Sequence, residues 1–252
     1  MKKIVLGLTL LLSTSMFVNS QTENLKRFQE ALDSIDTKAY HHSIPILKEL
    51  IKKDYKAEAN YELLVSVYMI TDSIDNGIKH VEEAHKRFPK NSQFLKYSAD
   101  LYYKKGDLEN AILVTEKAVV LEPNNDILYA FLGNLYTDKK NYDKAVYNYD
   151  EALKCNAKNI MAQYGIATLY VEKSATLQRQ MVEEDLDDAS YDAYKKEVNL
   201  LNEKAIIALE KTFDLDNTNT AVLATLVDFY SRTEKMEKFK KAKEKLKVLR
   251  GY

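Results

Sequence analysis

The residues best equipped for chemistry in this 252-residue chain are four histidines, one cysteine and a dense run of acids. His41, His42, His80 and His85 supply no pair at i, i+4 and no HExxH, and His80 and His85 diverge around a helix, so all four are read as surface residues. Cys155 falls near a helix end with no base indicated beside it, which points to a half-buried, inert thiol. The acids Glu183, Glu184, Asp185, Asp187, Asp188 and Asp192 read as a contact for a basic partner or as a solvated turn favouring the N-terminus of the next helix. They lack the glycine and the placed glutamate of a calcium loop, so no metal site is expected. No phosphate loop, nucleophile–base pair or catalytic dyad is visible, so neither enzyme activity nor a cofactor is expected.

Binding is the chemistry left, and the elements that would position a binding surface are helices. The chain is 46% hydrophobic and has only 6 Gly and 3 Pro, too few for many tight turns or long linkers. Met1-Lys2-Lys3, the apolar run Ile4 to Leu12 and the small, polar tail Ser13 to Ser20 read as a secretory signal peptide, with cleavage favoured between Ser20 and Gln21. The run is far short of the roughly 20 residues of a membrane span, so no integral membrane segment is expected after cleavage. An exported protein, periplasmic or extracellular, is the expectation. Without Lys2 and Lys3 the chain carries 35 basic and 38 acidic residues, a net charge of −3, which offers nucleic acid no basic footprint. A lone cysteine forms no internal disulfide.

From Glu58 onward a unit of 34 residues recurs. Tyr68, Tyr102, Tyr136 and Tyr170 stand 34 apart, as do Val65, Ala99, Gly133 and Ala167. Gly77, Ala111 and Ala145, then Ala84, Ala118 and Ala152, keep the same register, with Pro89 and Pro123 near helix ends. Small residues in these columns let two helices of a pair approach closely, and each pair leaves an apolar face that only the next pair can bury. The clearest copy is Asp126 to Asn159, with Tyr129, Leu132-Gly133, Tyr136, Ala145, Tyr149 and Ala152 in order.

On these residues the chain resembles the tetratricopeptide repeat family, of the exported bacterial type, over about residues 40 to 250. The resemblance implies an all-α, right-handed solenoid of about six antiparallel helix pairs whose concave face binds a protein or peptide partner. The family's way of clamping a terminal carboxylate needs Lys, Asn and Arg at places that here carry Glu62, Ser66, Tyr97, Ile127 and Phe131, so that mode is not expected. The first helix of each pair should line the groove. The candidate contacts are Glu62, Lys96, Tyr97, Asp100, Tyr103, Phe131, Asn134 and Tyr164, with Ser66, Met69, Gln93, Ile127, Ala130, Asp138, Met161 and Thr168 beside them. Rings offer contact area there and polar tips fix orientation.

The expected divisions are a signal peptide over 1–20, a degenerate first pair over 21–57, three regular repeats over 58–158, an expanded repeat over 159–217 and a capping pair over 218–252. In the first pair, Pro45 is placed near the first turn of its helix, where a missing amide is tolerated. In the expanded repeat, Ala205 lies 60 beyond Ala145, about 26 more than the repeat allows. With no turn signal before Asp187, both helices should be about 13 residues longer and form a short antiparallel coiled coil projecting roughly 20 Å. The acids at its tip, Glu183, Glu184, Asp185, Asp187 and Asp188, are a second candidate contact. The last helix, rich in lysine from Lys235 to Lys247, fits the polar outer face that a solenoid needs at its end.

Overall fold

A computed structural model describes residues 20–184 and 187–251, and every described secondary element is a helix. The signal segment up to residue 19 and Asp185 of the acidic cluster lie outside the described residues. The chain divides into two compact units, meeting at Leu121 and Glu122. In the first, α1 spans residues 20–36, α2 Tyr40–Lys52, α3 Ala57–Ile70, α4 Ile74–Arg87, α5 Ser92–Lys105 and α6 Leu108–Leu121. In the second, α7 spans Asp126–Asp138, α8 Tyr142–Cys155, α9 Ile160–Glu183, α10 Asp188–Leu215, α11 Thr220–Arg232 and α12 Met236–Arg250. Each unit is a succession of three antiparallel pairs, and the fold class is that of the tetratricopeptide-type helical repeat.

The core of the first unit follows from the columns. Ala31, Ile46, Leu47, Leu50, Leu64 and Tyr68 form one buried cluster shared by α1, α2 and α3. Tyr61, Val65, Val81, Ala84, Phe94 and Leu101 form the next, shared by α3, α4 and α5. Both clusters thus join a pair to the first helix of its successor, which is how a helix pair too small to hide its own apolar face becomes stable. Pro45 sits a turn deeper in α2 than the sequence suggests. The carbonyl that its missing amide leaves behind belongs to His41, on an exposed stretch open to solvent.

A column of asparagines that the sequence reading passes over sets the helix starts. Asn91, Asn125 and Asn159 stand 34 apart and Asn219 a further 60, and each caps the first helix of its pair by accepting a backbone N–H. Two of them also reach back one repeat. The Asn91 amide donates to Glu58 at 3.0 Å and Glu62 at 2.9 Å, and the Asn159 amide donates to Asp126 at 2.7 Å.

The expanded repeat has the predicted form with unequal arms. α9 has 24 residues and α10 has 28, against 14 in α8, so the arms are ten and fourteen residues longer. Asp187 ends the turn by accepting from the Ser190 N–H at 2.8 Å, and these hydrogen bonds hold its carboxyl below the usual range. Midway along the arms the buried Ser174 hydroxyl donates to Asn202 Oδ1 at 2.5 Å and accepts from Gln178 at 3.1 Å. A satisfied polar pair between two apolar seams fixes their register more strictly than oily contacts alone.

α12 carries its lysines as expected of a wet face. Lys235 pairs with Glu203 at 2.8 Å, Lys238 with Glu210 at 2.6 Å, and the Lys245 ammonium lies 4.4 Å from the centre of the Phe213 ring. Only Ala242 of this helix is buried. No helix among the described residues is long and apolar enough to cross a membrane.

Candidate binding surface

In the first unit the candidate lining is built by α3 and α5, and most of its polar groups already have partners. Glu62 accepts from Asn91, Ser66 Oγ donates to the Tyr97 hydroxyl at 3.4 Å, and Lys104 donates to the Met69 carbonyl at 3.4 Å. Lys96 and Tyr97 are half-buried and Tyr103 is exposed. Asp100 is half-buried, and burial pushes its carboxyl up from the ordinary value, with the Lys104 ammonium opposing.

The lining of α7 and α9 in the second unit has the opposite character. Ile127 is 61% exposed, and Met161 and Tyr164 are each 44% exposed. Phe131 is half-buried and Ala130, expected in the lining, is wholly buried. These exposed side chains leave open apolar area on this lining.

What holds this surface is a tyrosine that passes between two glycines. Tyr149 of α8 is 1% exposed, and a Cβ on Gly133 of α7 would stand 2.3 Å from its ring. A Cβ on Gly165 of α9 would stand 2.4 Å from the same ring. The ring therefore fills a window that only glycine leaves open on both sides. Through it the Tyr149 hydroxyl donates to Asn134 Oδ1 at 2.8 Å and lies 3.1 Å from Thr137 Oγ1. Asn134, a predicted groove residue, is thus oriented from beneath. Gly165 escapes the sequence reading, although a glycine inside a helix, costly by about 1 kcal/mol against alanine, is itself a signal of close packing.

The remaining candidates separate. Glu183 and Glu184 are exposed at the end of α9, while Asp187 and Asp188 begin α10, where they suit the helix N-terminus. Three expectations are corrected, the first being His85, which is half-buried with its Nδ1 sealed from solvent rather than superficial. Cys155 is exposed at the last position of α8, since that helix ends before the thiol can turn inward. His80 is buried rather than superficial: its ring packs 5.3 Å from that of Tyr68, and its Nδ1 meets the Asn76 carbonyl at 2.8 Å.

Known structures share this architecture. The MamA protein matches with a TM-score of 0.60 at 21% identity, over 77% of this chain and 94% of its own. YrrB, a tetratricopeptide repeat protein with an unusual peptide-binding site, matches with a TM-score of 0.55 at 12% identity, over 81% and 91%. A tetratricopeptide repeat protein from Parabacteroides merdae matches with a TM-score of 0.55 at 20% identity, over 91% and 93%. No curated protein matches the chain in sequence. The model of the ChAPs family, the Chs5p-Arf1p-binding proteins, spans residues 19–228, from the first described helix to α11. A helical-repeat sequence matched over that much of its length, folded as such repeats fold, belongs to the ChAPs family.

Proposed function

We propose that this protein is a non-enzymatic, exported scaffold that binds a protein or peptide partner on the inner faces of its first helices. The observation that carries the proposal is the α7–α9 lining, where Ile127, Met161 and Tyr164 are exposed beside an Asn134 locked in place by Tyr149. A preoriented side-chain amide beside open apolar groups suits an extended peptide, whose backbone needs a polar partner and whose side chains need apolar cover. The family's description by two protein ligands, Chs5p and Arf1p, supports a protein partner over a small molecule or nucleic acid. The signal-like N-terminus supports the cell envelope or exterior as its place of work.

A photo-crosslinking side chain in place of Tyr164 is expected to trap the partner in the native organism. The same group in place of Tyr147, which is 62% exposed on α8, should not. Equal trapping at both positions refutes the groove.

A second reading is favoured by the long hairpin. Its arms, packed as a short coiled coil, would serve an assembly or chaperone-like factor for envelope or secretion complexes. Val182 near the tip is 86% exposed and Leu200, on the outer side of α10, is 55% exposed. Removing residues 174–198 and rejoining the arms should keep the helicity and abolish this role, and an unaltered phenotype excludes it.

A further inference from the structure

About half a turn around α5 from Asp100, at 100° per residue, Leu95, Ser98 and Tyr102 face away from the lining. There they form, with α4 and α6, a cleft of about 320 Å³. Its volume equals about ten waters at roughly 30 Å³ each, at the lower end of small-ligand sites. The apolar wall comes from Val81, Leu95, Leu113 and Val114, and the polar groups beside it are two lysines, a histidine, two hydroxyls, the Asn110 amide and one carboxylate. Lys86 and Lys117 stand at its edge, and Ser98, though buried, lines it. The one carboxylate, Glu82, is occupied by the Tyr102 hydroxyl at 2.5 Å, a bond that helps push the tyrosine up to about 12.

His85 completes the wall. Its Nδ1 is sealed from solvent and has no hydrogen-bond partner among the described residues, and burial and then the Lys117 ammonium lower its pKa, so the ring is neutral at neutral pH. With no acceptor at Nδ1, the neutral ring carries its proton on Nε2, which is then a donor.

We propose that this cleft is a binding site for a small amphipathic carboxylate, its apolar body between Val81, Leu95 and Val114 and its head at Lys117, Lys86 and His85. A carboxylate satisfies two ammonium groups and an imidazole donor together, whereas a cation or a neutral alcohol satisfies neither lysine. The site lies off the inner lining and is independent of the partner-binding role.

The test is calorimetric titration of the purified protein with octanoate, with octanol and octylamine as controls, alongside the imidazole nitrogen resonances of His85. Octanoate is expected to bind saturably and to shift the His85 resonances. Lys117→Ala, an exposed substitution that leaves the core alone, should weaken binding about tenfold, the loss of one charge-assisted hydrogen bond. Val114→Phe should fill the cleft and abolish binding. Absence of saturable binding at millimolar octanoate overturns the proposal. So does equal binding of octanol, or affinity unchanged in Lys117→Ala.

Discussion

The lining of α3 and α5 is polar and bonded within itself, whereas that of α7 and α9 is apolar and open, although both come from one 34-residue grammar. The difference lies underneath. In the second unit Tyr149 fills the space between neighbouring first helices and sends its hydroxyl through to Asn134, so one buried ring anchors the surface. In the first unit the helix behind α3 and α5 is α4, and the equivalent place there is the buried Val81, which has no hydroxyl to send through to the lining. The lining there is held instead by contacts along its surface, Asn91 to Glu62 and Ser66 to Tyr97. A repeat can change what it presents by changing one residue on the helix behind.

The sharpest way to break this comparison is at the glycines. Gly165→Ala sets a methyl against the buried ring of Tyr149, which has nowhere to move, and should cost about 2–3 kcal/mol in urea unfolding despite alanine's better helix propensity. Gly77→Ala in the first unit meets only the flexible end of Leu101, at 2.8 Å, and should change stability by less than about 1 kcal/mol. Equal costs would show that the Tyr149 window is nothing special.

Next in size, Asn159→Ala removes a helix cap and the bond to Asp126 together, an expected loss of about 1–2 kcal/mol by the same measurement. A loss no larger than that of an exposed alanine substitution on α9 would deny the asparagines their linking role.

The smallest effect should come from Asp100. Its folded pKa lies above the ordinary carboxylate value, so the folded state holds the proton more tightly, and stability falls as pH rises from the unfolded value through the folded one. Asp100→Asn should therefore be slightly more stable than the parent at neutral pH, with the difference vanishing in acid. A difference that persists below the ordinary carboxylate range would remove burial of charge as its cause.

The fold was legible because its information is periodic. Columns of tyrosine and small residues give the pairs, and the excess between Ala145 and Ala205 gives the hairpin, even to its turn at Asp187. What the columns do not carry is the division of labour between polar groups. Glu62 and Asn134 have the types a groove uses, but one is bonded to Asn91 and the other to Tyr149, and such pairing depends on distances across repeats. His80 and Cys155 were misplaced for a related reason: near the edges of a helix face, a rotation of a few tens of degrees decides between burial and exposure. The asparagine caps were readable in principle, since they keep the repeat spacing. They are polar residues in a search organised around apolar ones.

Those caps give the chain a direction. Asn91 and Asn159 each rely on an acid from the repeat before them, Glu58 and Asp126, and never on one that follows. During synthesis the supporting acid leaves the ribosome first, so each new pair docks onto a neighbour already able to receive it. Wear should run the other way: peeling from the C-terminal end leaves the earlier caps intact, while injury to an early pair loosens the start of the next.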